Sequence, residues 1–546
     1  SPLMVFARRS TTLLAAIIAS CAMVLSLTAC TSDNKTVVDG QTTVTSNSAG
    51  GVAVFTPSDG ITLNQQTPLN KWAKLVPDLA KALADAGFKK GDIDHTTSDS
   101  LAKQSRAIQD FVVDHLSNNT TDDSGIAIAP DNMTLLVAPV VEADASTRQY
   151  GDYVSQNLST NDATDGEATS DGESSEDDSS KDDSSNTESD STASDEQAQA
   201  VDRLVSSLKL AKESGMHVVL LGNSIEGYKP DAFVKFSDAQ TIGKLQAEKM
   251  VSKLKLDKAS KDNPKYIEVL LPYTAVDEKG NANDSTFAQE AFRGIWQVLG
   301  SYYQKGVVES PSGTLDGKST ENDWQAVAYD AAKEGSTAKV LDKRLAKTDG
   351  QSTLTRIDGI ITMNDYIASE VVKELDDLGY TGSAADINPQ ITISGIVGNI
   401  TGKKDLSRDA VPDPIKSPEN DNANDSSSSD DDADEDTSAS DKDRDSQWPL
   451  VTGYGAYVSN IPSIVNGKQW MTGMEDRQTI ATDIAQACAK LNKDEALNSM
   501  PSIRNSEVGG VKKIPTISEP LLAVSASNLK SALIDPGYIS LADAGL

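Results

Sequence analysis

Short apolar runs alternate along most of this 546-residue chain with longer segments in which apolar residues recur every three or four positions. The short runs indicate buried strands, and the longer spacing indicates helices with one apolar face. Strands are predicted at residues 51–56, near 93, and at 126–129, 134–138, 217–221, 232–236, 266–271, 357–362 and 390–395. Helices are predicted between and after them, at residues 72–86, 101–116, 198–214, 240–254, 285–302, 366–378, 457–466 and 479–491.

This alternation of strand and helix predicts an α/β fold with parallel sheets joined by right-handed crossovers. The units are too many for one sheet, so we predict two doubly wound, Rossmann-like lobes. Ligands of such sheets bind beyond the carboxyl ends of the strands. The segments expected to contact a ligand are therefore those that follow Phe55, Leu221, Phe236, Leu271, Thr362 and Gly453.

Two polar tracts interrupt the pattern and hold most of the net charge of −33. Residues 161–196 contain 14 acidic residues and one lysine, and residues 417–446 contain 12 acidic and two basic residues. Such segments bury too little apolar surface to offset the entropy of ordering. We predict disordered insertions at about 158–197 and 417–446. Calcium binding is the alternative, but the tracts lack the spacing of a calcium loop.

The N-terminal region predicts export and a lipid anchor. Arg8-Arg9 precede an apolar run that ends at Leu27-Thr28-Ala29-Cys30, so residues 4–29 have the features of a secretory signal peptide. Small residues before a cysteine are typical of a bacterial lipobox, which predicts a lipid on Cys30. The alternative is one transmembrane helix, for which the apolar run is short. Residues 30–50 are polar and predict a flexible spacer.

Candidate chemistry is sparse in the rest of the chain. Once Cys21 leaves with the signal and Cys30 carries lipid, Cys488 has no disulfide partner, and the three histidines show no metal-ligand spacing. The segment 222–226 lacks the final glycine of a nucleophile elbow, and no phosphate loop occurs. We therefore expect neither an enzyme nor a cofactor. The acidic surface makes nucleic acid an unfavourable partner.

Several stretches, in order along the chain, resemble type 1 periplasmic sugar-binding proteins, in particular the multiple-sugar-binding (ChvE-like) and xylose-binding branch. They cover nearly the whole chain outside the spacer and the acidic tracts. The matching stretches are Trp72 through Ala86-Gly87-Phe88, residues 214–219, Phe236-Ser237-Asp238, Thr362-Met363-Asn364-Asp365, residues 451–456 and residues 511–522.

The resemblance implies two lobes joined by a three-strand hinge and closing on a ligand. The N-terminal lobe would comprise residues 51–236 and 475–515, and the C-terminal lobe 237–474 and 516–546. It further implies a monomeric, non-enzymatic protein that carries a sugar or related small solute to an ABC permease. With the lipid anchor, this predicts a location on the outer face of the bacterial cytoplasmic membrane.

The positions that read the sugar in the family match less well than the scaffold. Charged or planar groups of the family are replaced here by Lys71, Gly222-Asn223, Thr286-Phe287, Gly455 and Glu475-Asp476. Lysine in place of arginine loses the bidentate fork. The ligand would then be a different sugar, a non-sugar, or absent.

Eight residues remain candidate ligand contacts: Lys71, Trp72, Asn223, Asp238, Asn364, Asp365, Tyr454 and Asp476. Trp72 would stack on a ring or else fill the core. Asn364 and Asp365 would bond hydroxyl groups or else cap a helix. Packing is the alternative for Tyr454. Turn and hinge hydrogen bonds are the alternative for Asn223, Asp238 and Asp476.

Three functions fit these observations. The first is solute capture for import, and the second is a module that reports ligand to a membrane sensor. The third is a degenerate surface lipoprotein whose cleft binds no sugar. The losses among the sugar-reading positions favour the third, and the preserved alternation of strands and helices argues against a collapsed fold.

Overall fold

The computed structural model describes residues 36–38, 41–43, 48–59, 68–118, 128–142, 144–160, 184–277, 279–385 and 444–546, with the backbone alone for 36–38, 41–43 and 184–192. Cys30, the predicted signal peptide and the predicted strand at 390–395 lie outside these ranges, as does most of the second acidic tract. Among the described helices, none is long and apolar enough to cross a membrane.

The chain divides into two compact units, Ser1–Ala49 and Gly50–Leu546. In the first, strands β1 (Thr36–Val38) and β2 (Gln41–Thr43) pair antiparallel. All that follows concerns the second unit.

The first half of the large unit alternates strands and helices from Gly51 onward. Its elements are β3 (Gly51–Pro57), α1 (Trp72–Asp85), β4 (Ile93–Ser98), α2 (Leu101–Asn118), β5 (Met133–Val137), β6 (Asn157–Leu158), α3 (Ser184–Glu213), β7 (His217–Leu221), β8 (Ser224–Ile225) and β9 (Ala232–Val234).

The second half repeats this alternation around a second sheet. Its elements are α4 (Ala239–Lys253), β10 (Lys265–Val269), β11 (Leu271–Tyr273), α5 (Thr286–Gln304), β12 (Val308–Glu309), β13 (Ala328–Asp330), α6 (Ser336–Arg344), β14 (Gly359–Ile361), α7 (Asp365–Leu378), β15 (Leu450–Val451), α8 (Ile461–Val465) and β16 (Met471–Met474).

The C-terminal part returns to the first sheet and then leaves it again. It contains α9 (Arg477–Asn492), β17 (Ile503–Val508), β18 (Val511–Ile517) and β19 (Leu522–Ser525). Strand β18 pairs parallel with β9, whereas β19 pairs antiparallel with β16. The chain therefore passes three times between the two halves, after β9, after β16 and after β18.

The strand orders confirm the predicted doubly wound α/β fold. The first sheet runs β17-β18-β9-β7-β5-β3-β4, and the second runs β12-β10-β14-β15 beside a separate parallel pair, β11 and β13. In each sheet the first strand of the half is internal, with later strands added on both sides, which places the ligand crevice at the carboxyl ends. We call the first sheet with its helices lobe 1 and the second with its helices lobe 2.

Two predicted boundaries differ from the structure. The first acidic insertion is shorter than expected, because Leu158 is buried in β6 and α3 already begins at Ser184. Strand β18 remains in the first sheet up to Ile517, two residues beyond the predicted end of the N-terminal lobe at 515.

The early start of α3 has a physical reason. The C-terminal half of α3 packs against α2 through buried residues that include Ala200, Leu204 and Leu208. Once this half is fixed, each further helical residue adds a hydrogen bond without a new nucleation cost. Helix α3 therefore begins inside the tract at about 158–197 that the sequence predicts as a disordered insertion.

Helix α1 carries the chain to the cleft between the lobes. Leu75, Leu79 and Leu83 form its buried face, and Gly87, at φ +100°, follows its end. Pro77 lies within the helix and does not end it. Trp72 at the first turn is consequently directed to the place where the two lobes meet.

Candidate functional site

The three crossings between the lobes are held together by buried hydrogen bonds. The backbone N–H of Lys235 donates to the carbonyl of Ile517 over 2.9 Å, which joins the first and third crossings. The backbone N–H of Ser237 donates to the Glu475 carboxyl group, which joins the first and second. Glu475 is 1% exposed, and its burial raises the pKa to about 7. The predicted three-strand hinge thus contains a buried carboxyl group.

On the lobe 1 side of the cleft, three aromatic rings pack on one another. The Trp72 ring lies edge-on to Tyr153 at 4.9 Å and edge-on to Phe236 at 5.7 Å, and Tyr153 stacks on Phe236 at 4.7 Å. The Tyr153 hydroxyl donates to the carbonyl of Lys71. Trp72, for which the sequence allows either stacking on a ligand ring or packing in the core, is 3% exposed and covered by the chain's own rings.

On the lobe 2 side of the cleft, a second aromatic cluster forms around the ring of Tyr150. Its ring centroid lies 4.8 Å from that of Phe287 and 6.2 Å from that of Tyr454. The Tyr454 hydroxyl is 2.8 Å from the Ser237 hydroxyl, and the Tyr457 hydroxyl donates to the carbonyl of Gln149 over 2.6 Å. The lobes are closed on these side chains.

Asn364 and Asp365 lie at the start of α7 and face this cluster from lobe 2. Asn364 caps the helix by accepting from the N–H of Ile367 over 2.9 Å. Asp365 accepts from the N–H of Tyr457 and from the side chains of Gln469 and Thr472, at 2.8 to 2.9 Å. Burial of Asp365 raises its pKa to about 6, and these donors limit the increase.

Two buried amide groups in the cleft have no hydrogen-bond partner among the described residues: Asn70 Nδ2 in lobe 1 and Asn364 Nδ2 in lobe 2. Both residues are fully buried. The Asn70 side chain lies close enough to Tyr454, and the Asn364 side chain close enough to Tyr150, to oppose the rise in pKa that burial imposes on each phenol. Each amide group thus lies beside a phenol of the cluster.

The remaining predicted contacts lie around this centre and are engaged in local structure. Asn223 donates to the carbonyl of Pro139 and accepts from the N–H of Gln156, both at 3.0 Å. Asp238 caps α4 and Asp476 caps α9. The Lys71 ammonium pairs with Asp152 at 3.1 Å. The structure therefore brings Trp72, Tyr454, Asn364 and Asp365 to the cleft centre and leaves the other four at its margin.

Sequence reasoning missed the segment that fills the cleft. Tyr150 and Tyr153 belong to residues 144–158, between β5 and β6, where no periodic pattern predicted an element. The only signal was two tyrosines within Tyr150-Gly151-Asp152-Tyr153, directly before an acidic tract. Asn70, Ser237 and Glu475 were also not among the predicted contacts.

A groove of about 900 Å³ lies elsewhere, between α4 and the β17–β18 hairpin. It reaches the hinge at Phe236 and Ser237 but includes none of the eight predicted contacts. Among the described residues, no cluster of histidine, cysteine and acidic side chains has the arrangement of a metal site.

No protein-family model matches the sequence. No curated protein matches it either.

Solved structures of sugar-binding proteins do match. An ABC transporter solute-binding protein from Clostridium phytofermentans with bound β-D-glucose is 16% identical, with a TM-score of 0.43, and the match covers 90% of this chain and 99% of that one. A carbohydrate transporter solute-binding protein from Chloroflexus aurantiacus in complex with D-glucose is 17% identical, with a TM-score of 0.42 and coverages of 91% and 98%.

A periplasmic ribose ABC transporter protein from Conexibacter woesei is 14% identical, with a TM-score of 0.39 and coverages of 89% and 95%. These proteins are of the kind that the sequence resembles. At such TM-scores we base no conclusion about the ligand on them, and the fold class rests on the strand orders of the two sheets.

Proposed function

We propose that this chain is an extracytoplasmic lipoprotein whose lobes close on a sugar or a related small solute, which it delivers to an ABC permease. The observation that carries the proposal is a pair of buried amide groups on opposite sides of the cleft, Asn70 Nδ2 and Asn364 Nδ2, for which the described residues supply no acceptor of good geometry. A buried donor without a partner costs about 1–3 kcal/mol. Since each lobe carries this free-energy cost in the cleft, a ligand that supplies hydrogen-bond acceptors to both amides would be favoured.

A sugar has the chemistry that this centre lacks. Its hydroxyl oxygens accept hydrogen bonds from amide groups, and its C–H faces pack on aromatic rings such as Phe287 and Tyr454. A ligand that touches both Asn70 and Asn364 bridges the lobes and thereby favours the closed state. The same groups suit other small polyhydroxyl compounds.

The membrane part of the proposal rests on the sequence. Leu27-Thr28-Ala29-Cys30 places a cysteine where a lipid would be attached, and the polar residues 31–50 would separate the lipid from the folded unit. Delivery to a permease, and a monomeric state, follow from the resemblance to sugar-binding transport proteins. A neighbouring sensor gene in place of a permease gene would favour the reporting role.

The first test is a thermal-shift screen of the chain from residue 31, against pentoses, hexoses, disaccharides, polyols and nucleosides. A ligand at about 100 times its dissociation constant stabilises the protein by about 2.7 kcal/mol. We expect one compound class to raise the melting temperature. Asn364→Ser should abolish that shift, since serine keeps the helix cap and removes the amide donor.

The matched control is Asn223→Ser, at a strand end where the amide already donates to Pro139. This variant should lose stability and keep the ligand-induced shift. A shift that survives Asn364→Ser would contradict the placement of the ligand. No shift in a folded sample would contradict solute binding.

A second candidate is a surface lipoprotein whose lobes are permanently closed. The observation that favours it is that Tyr150 and Tyr153 already fill the cleft, at 3% and 1% exposure. On this account no small solute enters, and the role lies in surface interactions. The absence of any shift in the screen would favour it.

A further inference from the structure

Residues 148–153, which we call the wedge, belong to lobe 1 and lie between the lobes. Arg148–Tyr150 form a 3-10 turn, and Gly151 follows with φ +98°. A Cβ atom on Gly151 would lie 2.5 Å from Cβ of Asn70, so only glycine allows the chain to pass this closely. The wedge backbone therefore packs directly against Asn70 at Gly151.

The wedge is fixed to lobe 1 by charge and backbone contacts. The Asp152 carboxylate accepts from the N–H of Trp72 over 3.1 Å at the start of α1, where a negative charge is favoured. The same carboxylate pairs with the Lys71 ammonium, and the N–H of Asp152 donates to the carbonyl of Asn70 over 2.7 Å. The parts of the wedge that contact lobe 2 are then the Tyr150 ring and the Gln149 carbonyl, which accepts from the Tyr457 hydroxyl.

Tyr150 makes the contacts with lobe 2 that a bound sugar would make. Its six-membered ring packs on Phe287 and Tyr454, and its hydroxyl group lies by the side chain of Asn364. A pyranose is also a six-membered ring bearing hydroxyl groups, and its C–H faces pack on aromatic rings. The Tyr150 ring therefore has about the size of one sugar ring and carries one hydroxyl group at the place where a sugar hydroxyl would meet Asn364.

We infer that the wedge is a built-in competitor of the ligand: Tyr150 holds the lobes closed in the absence of solute and must leave the cleft before a pyranose-sized solute binds. This inference rests on the proposed function and specifies how that site is regulated. The apparent dissociation constant then equals the intrinsic one divided by the fraction of molecules with the wedge displaced. Binding is weaker than the cleft itself would allow.

The test compares the wild-type chain from residue 31 with Tyr150→Ala, using D-glucose, D-xylose and D-ribose as probes in calorimetric titrations. Removal of the competing ring should tighten binding of at least one sugar by 10-fold or more. p-Cresol, which reproduces the lost side chain, should raise the melting temperature of Tyr150→Ala and displace the sugar from it. It should have neither effect on the wild type.

Tyr303→Ala is the matched control, since Tyr303 is an equally buried tyrosine in the core of lobe 2, with its hydroxyl bonded to the Ile267 carbonyl. That cavity should accept p-cresol without any gain in sugar binding. Tyr150→Leu, which keeps more of the apolar packing, should show a smaller gain and serves if Tyr150→Ala does not fold.

The outcomes separate the inference from the proposed function. Equal sugar affinities of wild type and Tyr150→Ala would overturn the wedge and leave solute binding intact. A tighter Tyr150→Ala complex that p-cresol cannot displace would also overturn it, because the sugar would not occupy the place of the ring. Failure of every probe with both proteins would overturn both.

Discussion

At the scale of single residues, Glu475 is the buried acid that joins two of the three crossings. Its carboxyl group accepts from the N–H of Ser237 and lies near the Tyr454 hydroxyl, while the charge of Asp238 opposes its ionisation. Burial is the largest influence and raises the pKa from an ordinary 4.5 to about 7. The hinge is therefore sensitive to pH in a range where exposed acids are already ionised.

The consequence for stability follows from proton linkage. Between pH 4.5 and about 7, the folded protein holds the Glu475 proton that the unfolded chain has lost. The contribution to stability is complete below pH 4.5 and is lost as the pH rises through about 7. Glu475→Gln keeps the acceptor for Ser237 and cannot ionise, so its free energy of unfolding should fall less over this range, by up to roughly 3 kcal/mol.

Denaturant unfolding of both proteins at pH 5 and pH 7.5 measures this difference. Asp365 and Glu268, whose pKa values are raised to about 6 and about 7, contribute in the same direction to both proteins and cancel in the comparison. The exposed substitution Glu495→Gln is the control and should leave the change in the free energy of unfolding between pH 5 and pH 7.5 as it is in the wild type. The same change with pH in wild type and Glu475→Gln would contradict the buried state of Glu475.

At the scale of elements, the close packing of α4 against α5 is a main helix–helix contact of lobe 2. Gly243 and Gly294 allow the two helices to approach closely, since a Cβ on Gly294 would lie 2.1 Å from the carbonyl oxygen of Gln240. A Cβ on Gly243 would lie 2.4 Å from the carbonyl oxygen of Ala291. Backbone atoms cannot give way as a side chain can.

Gly294→Ala should therefore destabilise the protein by about 1–3 kcal/mol, despite the better helix propensity of alanine. The measurement is the midpoint of urea unfolding. Ser301→Ala, at an exposed position of the same helix, should change stability by no more than about 0.5 kcal/mol. A Gly294→Ala protein as stable as wild type would show that the helices are farther apart than described here.

Regular elements with strong apolar patterns could be predicted from the sequence. The apolar runs at β3, β5 and β7 and the periodic faces of α1 and α5 appear where the pattern placed them. Helix α6 was missed because it has only nine residues, four of them charged, which is too few apolar positions to show a helical period. Strands β6 and β8, of two residues each, are too short to produce a pattern.

The content of the cleft could not be predicted for a different reason. It depends on contacts between residues far apart in the chain, such as Trp72 with Tyr153 and Tyr150 with Phe287. No local spacing encodes such pairs. The strand-end rule points to the segments that contain Asn364 and Tyr454, but it does not predict whether a neighbouring loop covers them.

At the scale of the whole molecule, two sheets are connected by three crossings and closed on aromatic side chains of the chain itself. On the proposed function, the lobes separate at the hinge and a ligand with acceptors binds between the buried amides of Asn70 and Asn364, which find no acceptor of good geometry among the described residues. The protein we propose has two closed states: in the first the Tyr150 ring fills the cleft, and in the second a solute fills it.

The measurement that tests this account most directly is a crystal structure of the chain from residue 31. The crystals would be grown with the sugar that gives the largest thermal shift, or with D-glucose if none does. The account predicts a sugar between Asn70 and Asn364, hydrogen-bonded to both amides, with the Tyr150 ring displaced from Phe287. A cleft still filled by Tyr150, with no sugar or with sugar bound only in the groove beside α4, would contradict it.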